Sequence, residues 1–339
     1  MTAETTINTA QKRKIQLDDI AAELGLSKST VSRAISGKGR ISAETRKLVN
    51  DYIRKINYRP NIIAKGLSES KTYNIGVVLP MDGNEIEAPF FQTCLAGISR
   101  ESAKNNYDAV VIAAEGNDLA QLERVVRNRK VDGVIIARPV ENGEMERFLL
   151  ENEMPFVAIG NSVVEGTLCV DSAHREGCRV LTGRLLESVP PERIALLMDD
   201  MHFTVNKSRY EGFAAAFAER GMKINEGLVF TEIDAQESLS EIVESILQSR
   251  AECIVCGDDI LCFRLVRELT KRGVGVPKDV KVASFYDSAY IDSFLTGIAA
   301  LRFSASELGK KATQLLINTL DGKECSSVEL DFEVFMREP

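Results

Sequence analysis

Histidine is nearly absent from this chain of 339 residues, being confined to His174 and His202. That scarcity argues against a histidine-ligated metal centre. The chain also has no nucleophile elbow, no P-loop and no GxGxxG after a strand, so most routes to catalysis are closed and no enzyme is expected. No apolar run approaches the roughly 20 residues that a membrane span needs. Residues 1–14 are polar, then basic, with no apolar stretch of the kind a signal peptide carries, so the expected compartment is the cytoplasm and no membrane partner is expected. Seven cysteines, an odd number, fall mostly inside apolar patterns, which suits reduced, buried thiols. Cys253 and Cys256 form a CxxC, but residues three apart on a strand face opposite sides, which denies one metal both sulfurs. No metal, no cofactor and no catalytic residue is expected.

Charge, by contrast, is present and unevenly spread. Residues 1–70 hold 13 Lys and Arg against 7 Asp and Glu, a net of +6, while the remainder holds 29 against 43, a net of −14. A basic module joined to an acidic body is hidden inside an overall net charge of −8. Within the basic module, Leu17, Ile20, Ala21 and Leu24 recur at helical spacing and Gly25 follows as a C-terminal cap. Ser27 then caps a second helix that keeps Val31, Ala34 and Ile35 on one face and leaves Lys28, Ser29, Thr30, Ser32 and Arg33 to supply donors for base edges and phosphates. Ser42 caps a third, whose Leu48, Val49, Tyr52, Ile53 and Ile56 complete a small core, and Pro60 is expected to end it. Helix, glycine-bearing turn, helix is the arrangement whose second helix enters the major groove.

From Tyr73 onward short apolar runs alternate with amphipathic helices. Strands are predicted at 74–79, 109–113, 133–137 and 156–159, then again at 194–198, 228–230, 253–256 and 280–284, with a helix in each gap. Two successive sets imply two doubly wound α/β lobes, which bind ligands at the carboxyl ends of their strands and close on them by hinge motion.

Three blocks in order, Leu17-Asp18-Asp19-Ile20-Ala21, Ser27-Lys28-Ser29-Thr30-Val31-Ser32-Arg33 and Asn57-Tyr58-Arg59-Pro60-Asn61-Ile62-Ile63-Ala64-Lys65-Gly66-Leu67, resemble the headpiece of the lactose/galactose repressor family of bacterial transcription regulators. The resemblance implies an all-α helix-turn-helix headpiece followed by a two-lobed type I periplasmic-binding-protein-like effector domain of doubly wound parallel sheets. It implies a disordered basic arm at 1–14, a DNA-binding domain at 15–59, a hinge helix and linker at 60–72, and an effector-binding and dimerisation domain at 73–339. Lobe 1 is expected at about 73–170 and 302–326, lobe 2 at about 171–301 and 327–339. The chain would cross between them near 171, 300 and 327, the helix at 304–321 returning to lobe 1 and the strand at 328–335 to lobe 2. Alone, the hinge is short and glycine-bearing, hence a marginal helix. In such proteins it folds on DNA, two copies pairing in the minor groove. Asn61, Ala64 and Leu67 are the contacts carried over, Leu67 as the wedge.

The implied partners are a near-palindromic double-stranded operator, a second copy of the chain as a homodimer, and a small effector that is a sugar or sugar derivative. The implied role is a repressor of carbohydrate-utilisation genes. Phe91 stands where the family places an aromatic on its effector, and Arg209 matches the Arg-x-x-Gly-Phe block whose guanidinium clamps effector oxygens. Arg138, Asn161, Tyr286 and Phe303 are the further cleft candidates, with Asp171 and Asp258 weaker, each nearly as suited to capping a helix. Asn161 stands where the glycoside-sensing branch has an arginine, Tyr286 where many members have an aspartate, and Ala299-Ala300-Leu301-Arg302-Phe303 where a polar crossing is common. These departures predict a cleft that stacks more and hydrogen-bonds less, and keep open a regulator without effector control or with a non-sugar effector. A secreted sugar receptor would show the reverse pattern, an export signal and no headpiece.

Exchanging Lys28 and Ser29 is expected to change which operator is preferred in a binding-site selection, since a bidentate contact to guanine discriminates by about 1–3 kcal/mol. Lys12→Ala is expected to weaken all sequences alike and to lower the salt slope of binding. An unchanged preferred site after the exchange would remove the second helix from the role of reader.

Overall fold

The computed structural model describes residues 15–37, 39–58, 62–80, 89–114, 118–233, 238–288, 291 and 296–337. The chain separates into two compact units, 1–70 and 71–339.

In the first unit, α1 (Leu17–Leu24) opens with the Gln16 backbone N–H donating to the Asp19 carboxylate at 2.8 Å and closes on Gly25 at φ 63°. α2 (Lys28–Ser36) begins at Ser27, whose hydroxyl accepts from the Thr30 N–H at 3.1 Å; Ser42 does the same for Thr45 at the start of α3 (Ala43–Lys55). Each cap satisfies a backbone donor that the first helical turn leaves unpaired. Ile20, Ala21, Val31, Ala34 and Val49 are buried together, with Tyr52, Ile53 and Ile56 packed around them. Leu48, placed in this core by its spacing, is instead 50% exposed: it points off the face that Val49 buries. α3 also stops before Pro60. Asn57 takes a left-handed φ of 48° and the Tyr58 N–H returns to the Ile53 carbonyl at 2.9 Å, a glycine-type helix ending supplied by asparagine. The hinge segment, marginal on propensity, is a formed helix, α4 (Ile62–Glu69).

The second unit holds two six-stranded sheets. The first contains β1 (Asn74–Pro80), β2 (Asp108–Ala114), β3 (Gly133–Ile136), β4 (Phe156–Ile159), β5 (Cys169–Ser172) and β11 (Val328–Leu330), in spatial order β11-β5-β4-β3-β1-β2 and parallel throughout. The second contains β6 (Ile194–Leu197), β7 (Val229–Phe230), β8 (Cys253–Cys256), β9 (Lys281–Ser284), β10 (Ala299–Arg302) and β12 (Glu333–Phe335), in order β12-β10-β9-β8-β6-β7, with only β12 antiparallel. Both are doubly wound with the same order, so each has a switch point beside its first strand, between β1 and β3 and between β6 and β8. Cys253 and Cys256 fall in separate core clusters on the two faces of the second sheet, as their spacing requires.

The first two crossings fall close to where they are expected, and the last does not. β5 still belongs to the first sheet, so the first passage comes after Ser172. The stretch at 328–335 is not one strand in lobe 2: β11 pairs with β5 and β12 with β10, so the last passage lies at Asp331–Phe332. Arg337, two residues beyond β12, anchors that strand by donating to the buried Asp287 carboxylate at 2.8 Å, beside Arg302 at 2.6 Å.

Helices exchange lobes as well. α12 (Ala305–Leu320), which follows lobe-2 strand β10, packs on α5 (Pro89–Lys104) and on β3, β4 and β5 in lobe 1. α8 (His174–Leu185), which follows lobe-1 strand β5, packs on α9 (Thr204–Glu219) in lobe 2. Glycine makes both contacts possible. A Cβ at Gly309 would sit 2.2 Å from the Cys94 carbonyl oxygen, one at Gly97 2.3 Å from that of Ser306, and one at Gly212 2.2 Å from that of Arg175. Among the described residues, no helix is long and apolar enough to cross a membrane.

Gly309→Ala and Gly212→Ala are each expected to cost about 1–3 kcal/mol in urea unfolding, because backbone must move to admit the methyl group. Gly221→Ala, with open space around it but φ at 65°, is expected to cost about 1 kcal/mol. Losses below about 1 kcal/mol at both Gly309 and Gly212 would contradict the close helix approach.

Candidate functional site

On the first unit, α2 presents Lys28, Ser29, Ser32 and Arg33 exposed on one side, opposite the buried Val31 and Ala34. Lys28 Nζ is 2.8 Å from Asp18 Oδ2, an exposed pair that water screens and that a phosphate can replace. Thr30 differs from the other candidates: it is half-buried, and its hydroxyl lies 2.8 Å from the capping hydroxyl of Ser27. On α4, Leu67 is 84% exposed. Asn61 and the side chain of Ala64 lie outside the described residues.

On the second unit, a cavity of about 640 Å³ lies between the lobes at both switch points. Lobe 1 contributes Phe90 and Phe91 from the start of α5, Arg138 from just beyond β3, and Asp171 from β5. Lobe 2 contributes Asp199 and Asp200 after β6, Arg209 from α9, Tyr286 after β9, and Asp258 and Asp259 at the start of α11 (Asp259–Lys271). The aromatic wall is continuous: Phe90 meets Phe91 edge-on at 5.2 Å between centroids and Tyr286 edge-on at 5.7 Å. The Arg138 guanidinium stacks on Phe203 at 3.7 Å and reaches to 5.8 Å from Phe91. Beyond that stack a smaller cavity of about 350 Å³ opens, sharing Arg138, Asp200 and Phe203 as walls.

Charge is concentrated at the floor. Arg209 is 8% exposed; its Nη1 lies 3.3 Å from Asn206 Oδ1, and its Nε has no hydrogen-bond partner among the described residues. Asp259 Oδ2 and His174 Nδ1 are likewise buried and unpartnered among those residues. Burial raises the Asp171 carboxyl to about 6, against the Ser172 N–H that donates to it at 2.7 Å and the attraction of Arg209. Burial, then the neighbouring Asp258, raises Asp259 to about 6 as well. His174 is held well below 6.5 by burial and by Arg209, so its ring is neutral at pH 7. Burial also pushes the Tyr286 phenol up.

The lobes touch directly at the rim. Val140 and Phe203 form an isolated antiparallel bridge, the Glu141 N–H donates to the His202 carbonyl at 2.9 Å, and Lys207 pairs with Glu141 at 2.5 Å. Thr204 adds a hydroxyl bond to the Asn161 carbonyl at 2.7 Å.

The structure places the cleft candidates in different surroundings. Phe91, Arg138, Arg209, Asp258 and Tyr286 come together on the cavity, as does Asp171. Asp258 also caps α11, its Oδ1 accepting from the Leu261 N–H at 2.8 Å. Two candidates do not belong to the cavity wall. Asn161 is exposed at the rim, where it offers its carbonyl to Thr204. Phe303 is 4% exposed in the lobe-2 core, tilted on the His174 ring at 4.4 Å: its side chain packs beneath the floor.

Residues 72–336 match the family described as periplasmic binding proteins and sugar binding domain of LacI family, and residues 16–61 match bacterial regulatory proteins of the lacI family. The chain belongs to the LacI family. It is 28% identical over 311 residues to the HTH-type transcriptional regulator AglR of Rhizobium meliloti (strain 1021), covering 89% of this chain and 87% of that one. It is 27% identical over 331 residues to the HTH-type transcriptional regulator RegA of Clostridium saccharobutylicum, covering 95% and 98%. Its fold is similar to that of the Lac repressor dimer bound to operator and the anti-inducer ONPF (TM-score 0.79, 20% identity, 96% and 98% covered). It is also similar to the transcriptional regulator CelR in complex with cellobiose (TM-score 0.70, 24% identity, 96% and 99% covered). The LacI-family chain is thus a DNA-binding transcription regulator and not an enzyme.

Several cleft residues of this LacI-family chain were missed by sequence reasoning. Asp199 and Asp259 were within reach of it, because each follows the end of a switch-point strand. His174 and Phe203 carried no such signal. Asp200, His202 and Glu232 bring three potential metal-ligand atoms within 4.8 Å of one another, a cluster that chain order conceals. Its groups already have partners: His202 Nδ1 lies 2.7 Å from Asp200, and Glu232 accepts from the Met201 N–H at 3.1 Å.

Hydroxyl groups donated by a ligand to Asp171 or Asp259 favour the charged carboxylate and lower its pKa. Ligand affinity is therefore expected to fall as pH drops from 7 to 5, by up to about tenfold for each carboxyl whose pKa the ligand lowers, with proton release near pH 6. Calorimetry in two buffers of different ionisation enthalpy checks this. Affinity constant over that range would mean that neither carboxylate receives the ligand.

Proposed function

We propose that this LacI-family regulator is a cytoplasmic homodimeric repressor of carbohydrate-utilisation genes, bound to a near-palindromic operator and controlled by a sugar or sugar derivative in the cleft. The observation that carries the reading is Arg209: a guanidinium buried between the lobes, with an unpartnered donor and two carboxylates near it, under a wall of aromatic rings. Planar aromatics take the C–H face of a sugar, and a rigid fork of donors flanked by acceptors takes its hydroxyls. The similar structures, an operator-bound dimer and a cellobiose complex, support the same reading.

In this mechanism residues 15–59 read the operator through Lys28, Ser29, Thr30, Ser32 and Arg33. The segment at 60–72 supplies Asn61, Ala64 and Leu67 to the minor groove, with Leu67 as wedge. Residues 73–339 dimerise and bind effector through Phe91, Arg138, Arg209, Asp258 and Tyr286. Ligand changes operator affinity only by its preference for one lobe arrangement over the other, a coupling of about 1–3 kcal/mol in typical cases. The direct bridge between Val140 and Phe203 favours a second reading, in which protein contacts alone set the lobe angle and no effector acts.

Thermal denaturation against a panel of sugars and metabolites separates the two, since a ligand that binds the folded state raises its stability. Arg209→Ala is expected to abolish both that shift and the ligand response of operator binding, while ligand-free operator affinity stays within about twofold. Leu67→Ala is expected to weaken operator binding about tenfold or more and to leave the thermal shift intact. A full response retained by Arg209→Ala would move the effector site elsewhere.

A further inference from the structure

We infer that the cleft is built for an uncharged polyhydroxylated ligand and discriminates against phosphorylated and carboxylated sugars. The inference rests on the effector reading above and specifies the chemistry of its ligand. Among the described residues of the cavity wall there are six carboxylates against three guanidinium groups, and the adjoining His174 is neutral at pH 7. An anion entering this space from water meets a net negative field, which salt in the open part of the cleft screens.

Two of the three cations are already engaged: Arg138 is stacked on Phe203, and Arg209 is attracted by the carboxylates of Asp171 and Asp259. What remains unsatisfied at the floor is a donor at Arg209 Nε, an acceptor at Asp259 Oδ2 and the neutral His174 Nδ1, which donates or accepts according to its tautomer. Hydroxyl groups can satisfy donors and acceptors alike, whereas a fully ionised phosphate or carboxylate cannot donate to Asp259 and places like charge against it. Part of the wall is aromatic, with Phe90, Phe91 and Tyr286 lining the cavity as a continuous set of rings. Charge, hydrogen-bonding capacity and apolar surface therefore agree on one ligand class.

Calorimetry on the full-length chain, with glucose, galactose, maltose, cellobiose and raffinose set against glucose 6-phosphate, galactose 1-phosphate and glucuronate, tests this. A neutral sugar is expected to bind at least tenfold more tightly than its phosphorylated or oxidised counterpart. The gap is expected to narrow as salt is raised from 20 to about 500 mM while binding of the neutral sugar hardly changes, because salt screens only the repulsion. Asp259→Asn is expected to narrow the gap at low salt, and thermal denaturation of the same variant shows that it folds. If a phosphorylated or carboxylated sugar binds as tightly as its neutral parent and Arg209→Ala abolishes that binding, the inference is overturned and the effector reading stands. If none of these compounds binds in an Arg209-dependent manner, the effector reading fails, and this inference with it.

Discussion

A guanidinium buried between two lobes sets the terms for the rest of this structure. Taking a charge out of water costs several kcal/mol unless opposite charge and hydrogen bonds replace the lost hydration. Arg209 on α9 meets that cost only in part from its own lobe, through Asn206 and Asp259; Asp171 comes from the end of β5 in the other. The attraction between Arg209 and Asp171 therefore depends on how the lobes stand, and so do the raised carboxyls and the neutral His174 around it. A ligand that completes the hydrogen bonding of Arg209 adds to an interaction that already spans the hinge. That is the physical route by which a small molecule can bias a two-lobed body.

The chain path gives such a bias a mechanical basis. α8 and α12 each follow a strand of one lobe and pack on the other, held by helix contacts so close that three glycine positions have no room for a methyl group. Rigid packing of this kind does not deform gradually, so movement is directed to the passages near Ala173, Ser304 and Asp331–Phe332 and to the rim contacts of Val140 with Phe203. Among the described residues the rim is lightly built, with one bridge, one exposed ion pair and a few hydrogen bonds, in keeping with a contact that can open.

Much of this could be read directly from the amino-acid order. Helices α1 to α3 announced themselves by apolar spacing and capping serines, and most strands by short apolar runs, because both signals are local and set by backbone geometry. The same locality located the ends of β3, β6 and β8, and with them Arg138 and Asp258 at the cleft. Family resemblance supplied Phe91 and Arg209.

Other features were decided only in three dimensions. Nothing local distinguishes Phe303 beneath the cleft floor from Tyr286 on its wall, since both are aromatics just past a strand and only packing settles which way each ring turns. Leu48 and Val49 are adjacent apolar residues on one helix, yet only one can face the core. The stretch at 328–335 reads as one strand, but β11 finds its partner in lobe 1 and β12 in lobe 2, where Arg337 reaches the buried Asp287. Sequence by itself determined which segments are helix or strand and which module carries positive charge, because those properties belong to neighbours along the chain. Tertiary structure decided where the lobes exchange strands and which side chains meet at the cleft, because those depend on residues far apart in the chain competing for the same buried space.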